Sequence, residues 1–318
     1  MKKLDIKSLG ELLAREYPPQ RWLIDGLVPC DGLVMMSSAP ANYKTWLMMQ
    51  FAISVAKGEK LFDHFSTEQS GVLVVDEESG ERALQERFKR LGANEDLAIY
   101  YLSRLGRKAT KDYIDNIIEI CQEKGIGLVM FDSLIRFHSG NENDSVEMAQ
   151  VMNEFKKISD AGIACLILHH NRKSSLLGSN MGESMRGSGD LLAACDIHIA
   201  ITRKKNVVTI SQSKNRYCEE MTPIKVKFVS AVDEKSWFEF SEYQKSKDEK
   251  MDEMKRVVFA TIAEFAGINR SELMRRFKQS SLDMPVNKVN DLLKSLLEDG
   301  DIYTERGEKN AVKYFVKN

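Results

Sequence analysis

The stretch that most limits what this chain can become runs from residue 32 to 56, GLVMMSSAPANYKTWLMMQFAISVA. Leu33, Val34, Met35 and Met36 form an apolar run of strand length, the pattern of a strand buried on both faces. Small residues follow, Ser37, Ser38, Ala39, Pro40, Ala41 and Asn42. Tyr43-Lys44-Thr45 then opens a segment whose apolar residues, Trp46, Leu47, Met49, Phe51, Ala52 and Val55, have helical spacing. Strand, tight loop, Lys-Thr, helix is the layout of a phosphate-binding loop, where backbone N–H groups at a helix N-terminus and a lysine surround an anion. The usual pattern is G-x-x-x-x-G-K-[ST], and here Ser38 and Tyr43 stand at its two glycine positions. The layout fits and the glycines are missing, so the other segments have to decide.

Three of them repeat one arrangement. Val72-Leu73-Val74-Val75 ends in Asp76-Glu77-Glu78, Leu128-Val129-Met130-Phe131 ends in Asp132-Ser133, and Ile163 to Leu168 ends in His169-His170. Helical patterns lie between them: Leu84, Phe88 and Leu91 before Gly92, then residues 110–124, then residues 145–160. Residues 97–102, 191–201 and 206–213 read as further strand material. Short continuous apolar strands alternating with helices predict an α/β fold with a mainly parallel sheet covered on both faces. Ligands of such sheets sit at the carboxyl ends of the strands, where this chain puts its acids and histidines.

The organisation expected along the chain is a lead-in segment over 1–30, an α/β domain over 31–240, a polar linker over 241–251 and a small domain over 252–318. The last has three helical patterns, around Val257 to Phe265, Leu273 to Phe277 and Val286 to Leu297. Two strand-like pieces follow, joined by the turn 306–310. Three helices and a hairpin make a winged-helix pattern.

A net charge of −1 gives no overall attraction to a polyanion, so any nucleic-acid site must be a local patch. The cysteines are scattered without a C-x-x-C pair, which points to free thiols in a reducing cytoplasm. The chain opens without a charged-apolar-small leader and has no apolar run near 18 residues, against both secretion and membrane spanning.

Nucleotide hydrolysis requires a lysine and backbone N–H groups for the phosphates, a hydroxyl and a carboxylate for Mg²⁺, and a carboxylate for water. Lys44 and Thr45 fit the first two roles, Asp132 the magnesium carboxylate, and Glu78 or Glu77 the water-directed one. A Lys-Thr pair at a helix start and an Asp after a strand are each common without function. The whole set, in order and at strand ends, points to nucleotide binding with Mg²⁺. The loop and helix start that would hold the nucleotide are Ser38, Ala39, Pro40, Ala41, Asn42, Tyr43, Lys44, Thr45 and Trp46, with Thr45 and Asp132 at the metal.

Taken together, the loop, DEE, VMFDSLIRFH with END after it, LILHHNRK, MRGSGD and SKNRY resemble the RecA-like ATPases of the plasmid RepA helicase type, over about residues 20–230. That broad group includes hexameric replicative helicases and KaiC-like ATPases. Relatives sometimes carry a bulky residue before the lysine, as Tyr43 does here.

The resemblance implies a RecA-like core, with Glu78 as catalytic glutamate and Glu77 its nearest rival. It implies that His169 or His170 senses the γ-phosphate, with His169 the one expected at the catalytic site, and that Lys214 and Arg216 form a basic pair entering a neighbouring subunit's ATP site in a homo-oligomeric, hexameric ring. A zinc role for the two histidines has no partner at ligand spacing. The resemblance also turns the loop 171–190, with Arg172, Lys173 and Arg186, toward single-stranded DNA in the ring's channel. No aromatic residue interrupts that loop for base stacking. In the last domain Lys288 and Arg306 are the candidate DNA contacts, with protein binding the other use of such a domain.

Two functions follow as expectations. One is a DNA helicase of a plasmid, phage or mobile element; the other is an ATP-switched DNA-binding, regulatory or loading protein without helicase activity.

Overall fold

The apolar runs become the middle of one large sheet. The computed structural model of the protein describes residues 6–140, 145–171, 189–231, 235–244, 247–279, 284–307 and 311–317. The chain divides into two units, residues 1–244 and 245–318.

The first unit begins with α1 (Leu9–Leu13), held by a capping box between Ser8 and Glu11. Strands β1 (Trp22–Ile24) and β2 (Val28–Pro29) pair antiparallel. Then come β3 (Leu33–Ser38), α2 (Lys44–Lys57), β4 (Gly71–Asp76), α3 (Glu81–Arg90) and β5 (Ile99–Ser103). They are followed by α4 (Lys111–Lys124), β6 (Ile126–Asp132), α5 (Ser145–Asp160), β7 (Ala164–His170) and α6 (Gly189–Ala194). The unit closes with β8 (Ile197–Lys204), β9 (Val207–Asn215), β10 (Ile224–Ser230) and β11 (Ser236–Tyr243). Gly58 and Gly125 end α2 and α4 in the left-handed conformation, which a glycine adopts without a Cβ clash.

Among the described residues nine strands form one sheet in the order β11-β10-β9-β8-β3-β7-β6-β4-β5. Pairings from β8 to β5 are parallel, and those from β8 outward to β11 are antiparallel. The sheet is thus mostly parallel, with the α/β layering of a RecA-like P-loop core.

Side chains alternate across this sheet, and the alternation decides which layer each residue joins. Val34 and Met36, Val72 and Val74, Leu128 and Met130, and Leu166 and Leu168 pack with Leu47, Met48 and Phe51 of α2. Met35, Val75, Phe131 and Ile167 pack on the other face with Ile117 of α4 and Phe155 of α5. Phe131, Phe137 and Phe155 meet edge to face there, with ring centroids 4.8–6.2 Å apart. Full burial of each such ring contributes about 1.5–3 kcal/mol.

The structure departs from sequence expectation in three places. Residues 189–194 are helical, so the strand expected from 191 starts at Ile197. Strands β10 and β11 have no counterpart among the apolar runs, because lysines and glutamates interrupt their apolar residues. Regular structure also occupies most of the span read as a linker, since β11 runs to Tyr243 and α7 starts at Lys247.

The second unit has α7 (Lys247–Glu264), β12 (Ile268–Asn269), α8 (Arg270–Gln279), α9 (Val286–Glu298), β13 (Ile302–Arg306) and β14 (Val312–Val316). The strands form an antiparallel sheet in the order β12-β14-β13. The side chain of Asn269 accepts the backbone N–H of Glu272 at 2.9 Å and so caps α8. Val258, Ile262, Leu273, Phe277, Val289 and Leu293 build a separate core.

All five cysteines are free. Cys121, Cys165 and Cys195 are buried, Cys30 is half-buried and Cys218 is exposed. Burial pushes the thiol of Cys30 up to about 11, Cys195 to about 11 and Cys121 to about 12. No helix among the described residues is long and apolar enough to cross a membrane.

Candidate functional site

Four neighbouring parallel strands, β3, β7, β6 and β4, end side by side. In register, Ser38 stands opposite His170 and Asp76 opposite Asp132. The polar residues that follow each apolar run therefore collect at one edge of the sheet. A cavity of about 320 Å³ opens there, lined by Ala41, Asn42, Tyr43, Lys44, Thr45, Trp46, Glu78, Arg87, His170 and Arg203. Ser38, Ala39 and Pro40, also expected to hold nucleotide, are not among these lining residues.

The loop reaches α2 through two left-handed residues, Ala41 at φ 64° and Tyr43 at φ 63°. Tyr43 is the N-cap of α2 and makes no side-chain cap, so the first backbone N–H groups of this 14-residue helix stay available to an anion. The Tyr43 ring lies 4.5 Å from that of Phe228, centroid to centroid. The Arg203 guanidinium stands 3.7 Å from the same ring centre.

Lys44 is almost fully buried. Its Nζ donates to Oγ and the carbonyl of Ser38 at 2.9 and 3.2 Å, and lies 3.1 Å from Nδ1 of His170. Burial lowers its pKa to about 8 against the opposing pull of Asp132 and Glu78. Thr45 donates from Oγ1 to Oδ2 of Asp132 at 2.7 Å. Burial pushes the Asp132 carboxyl up to about 7; the Thr45 hydrogen bond opposes this, and the charges of Glu78 and Asp76 add to it. A hydroxyl and a buried carboxylate in contact, beside further carboxylates, are a donor set that fits Mg²⁺.

Glu78 is the acid that faces this cavity. Its Oε2 accepts from Ser133 Oγ at 3.0 Å and lies 3.3 Å from Nε2 of His170. Partial burial works against its ionisation, but the hydrogen bond and charge of His170, with Ser133 and Arg136, outweigh burial and hold the carboxyl below its ordinary value. The turn carrying Glu78 is fixed by Asp76, whose carboxylate accepts the N–H groups of Glu78, Ser79 and Gly80. Glu77 points elsewhere, accepting the N–H groups of Leu105 and Gly106, both at 2.9 Å.

His169 and His170 separate by strand parity. His169 follows Cys165 and Ile167, which pack on the α4–α5 face, whereas His170 follows Leu166 and Leu168, which pack on the α2 face. His170 therefore meets Lys44 and Glu78, and His169 does not line the cavity. Burial holds the His169 ring near a pKa of about 4, and its Nδ1 has no hydrogen-bond partner among the described residues. Counting alternation from Leu166 would have chosen His170.

Lys214 and Arg216 are not among the residues that line the cavity of their own chain. Lys214 Nζ donates to the carbonyls of Leu192 and Ala193, and Arg216 to Asp196 Oδ1 at 3.1 Å and to the Ala193 carbonyl. Both cap the C-terminus of α6, where cations are favoured. Lys288 lies part-exposed on α9 and Arg306 exposed at the end of β13. Arg172, Lys173 and Arg186 fall outside the described residues. Sequence reasoning missed Arg87, on α3, and Arg203, on β8; neither belongs to a spaced motif.

A family model described as an AAA domain matches residues 3–175, more than half of the chain. That span holds every residue lining the cavity except Arg203.

Proposed function

This chain belongs to the AAA domain family, as an ATPase of the RecA-like class, and from that premise we propose that it is an ATP-hydrolysing motor acting on DNA: a ring-forming replicative helicase of a plasmid, phage or other mobile element. The observation that carries the reading is the meeting of Lys44, the Thr45–Asp132 pair and the Glu78–His170 pair at one edge of the sheet.

In this reading the N–H groups at the start of α2 and Lys44 hold the β- and γ-phosphates of ATP. Thr45 and Asp132 would hold Mg²⁺, which would supply positive charge beside the phosphates. Glu78 orients the attacking water and takes its proton; its lowered pKa keeps it in the basic form. His170 touches both Lys44 and Glu78, which suits it to report phosphate loss to the chain that follows β7. Lys214 and Arg216 reach the site of a neighbouring copy, where an arginine stabilises phosphoryl charge. In the second unit, α7–α9 with the β12-β14-β13 sheet are a winged helix that contacts DNA through Lys288 and Arg306, and Arg172, Lys173 and Arg186 follow single-stranded DNA.

The test is the ATPase rate with and without single-stranded DNA, alongside native mass with and without nucleotide. Stimulated turnover by a closed oligomer is the expected result. Stimulated turnover without strand displacement removes the helicase part.

A second reading has one observation in its favour, the two left-handed non-glycine residues in the loop. Such a loop suits slow turnover and an ATP-switched DNA-binding or loading protein. Sequence-specific binding by residues 245–318, with ATP turnover too slow to drive movement, selects it.

A further inference from the structure

We infer that Arg203 is a positioning residue that clamps the left-handed turn of the phosphate loop at Ala41 and Tyr43, doing for Tyr43 what glycine does at that position in loops of the usual pattern. The inference rests on the nucleotide reading of the cavity and adds a residue from outside the span the family model matches.

Ala41 at φ 64° and Tyr43 at φ 63° lie in a region that residues with a Cβ seldom occupy. A backbone of this kind persists only when its surroundings hold it there. Arg203 touches both residues. Its Nη1 donates to the Ala41 carbonyl at 2.8 Å, and its guanidinium stands 3.7 Å over the Tyr43 ring. Its Nε donates to the Lys205 carbonyl at 2.5 Å, which anchors the guanidinium to the β8–β9 turn. A planar guanidinium can stack and donate at once, which an ammonium cannot.

The Tyr43 ring is held from the same region of the sheet. Phe228 of β10 packs on it at 4.5 Å, and Phe238 of β11 meets it edge-on at 6.2 Å. The antiparallel half of the sheet thus grips the loop that the parallel half presents. Arg203 itself is exposed, so replacing it removes the grip without opening the core.

The experiment is a double-mutant cycle on the full chain, reading Mg·ATP affinity by calorimetry. Arg203→Ala is expected to weaken binding roughly tenfold, with its thermal midpoint unchanged. In a Tyr43→Gly background, where glycine takes the same φ freely, Arg203→Ala is expected to change affinity less than about twofold. Arg203→Lys is expected to resemble Arg203→Ala, since it keeps the charge and loses the stack.

An equal tenfold loss in both backgrounds overturns the clamp and makes Arg203 a direct ligand of the nucleotide. Wild-type affinity in Arg203→Ala, or full recovery by Arg203→Lys, overturns it as well. Lys44→Ala is run beside them: if it binds Mg·ATP like wild type, the nucleotide reading of the cavity falls and the clamp with it, an outcome distinct from either failure at Arg203.

Discussion

Ser133 donates from its hydroxyl to Oε2 of Glu78 across 3.0 Å, so the residue that follows β6 holds the acid that follows β4. The two strands are parallel neighbours, with Asp132 and Asp76 in register. Glu78 is thus fixed by a side chain just past one strand and by the turn that follows its neighbour.

This geometry separates two adjacent acids. Glu78→Gln can still accept from Ser133 but cannot take a proton, and it should lower ATP turnover by about 10²-fold or more while leaving ATP binding intact. Glu77→Gln should keep turnover within about threefold and lower the thermal midpoint by about 2–4 °C, because it weakens the cap on the 104–106 loop. Steady-state ATPase and thermal melts of both variants check this. Equal loss of turnover in the two would sink the assignment.

The Thr45–Asp132 contact leads to a prediction about magnesium. Thr45→Ala and Asp132→Asn each remove one proposed ligand, and each should raise the Mg²⁺ needed for half-maximal turnover by roughly 10–100-fold. A magnesium titration at saturating ATP reads the shift. Unchanged magnesium dependence in Asp132→Asn would place the metal elsewhere.

Stability should fall on the acid side because of two buried rings. His198 lies between Ser37 Oγ at 2.8 Å and Ser213 Oγ at 2.5 Å. Burial, with the charge of Lys214, lowers its pKa to about 4, and burial lowers His169 likewise. Below about pH 6.5 the unfolded chain binds protons that these folded rings refuse. Their contribution is complete above that pH and is lost as pH falls from about 6.5 to about 4. At about 1.4 kcal/mol per pKa unit, each ring accounts for a few kcal/mol across the window. Urea melts between pH 7 and 4 should show a shallower loss in His198→Gln than in wild type; equal slopes would contradict it.

Arg216 tests whether sites are shared. Its bonds to Asp196 and the Ala193 carbonyl are structural within one chain. If it also serves a neighbouring site, Arg216→Ala and Glu78→Gln should each be inactive alone and recover turnover when mixed. Full activity of Arg216→Ala by itself would refute the shared site.

The sheet was legible in the sequence because β3, β4, β6 and β7 are buried on both faces and therefore read as unbroken apolar runs closed by polar residues. β10 and β11 were not, since Lys225, Lys227, Glu239 and Glu242 put charge on strands that lie toward the sheet's edge. Lys44, Thr45, Asp132 and Glu78 were found by their order at strand ends. The histidine that joins them is His170 and not the expected His169, and the signal that separates the two is alternation along β7. Arg203 was out of reach, because its place over Tyr43 depends on β8 lying beside β3, a pairing between residues more than 150 positions apart.

The uneven exposure of the five thiols makes the protein its own labelling reagent. A maleimide dye will react at Cys218, where the thiol is exposed, far faster than at Cys121, Cys165 or Cys195, whose burial keeps them protonated. Cys218 lies two residues beyond Arg216, and its sulfur accepts from Asn215 Nδ2 at 3.2 Å. A fluorophore placed there, without any engineered cysteine, would report in real time on the surroundings of Arg216 as nucleotide arrives and leaves.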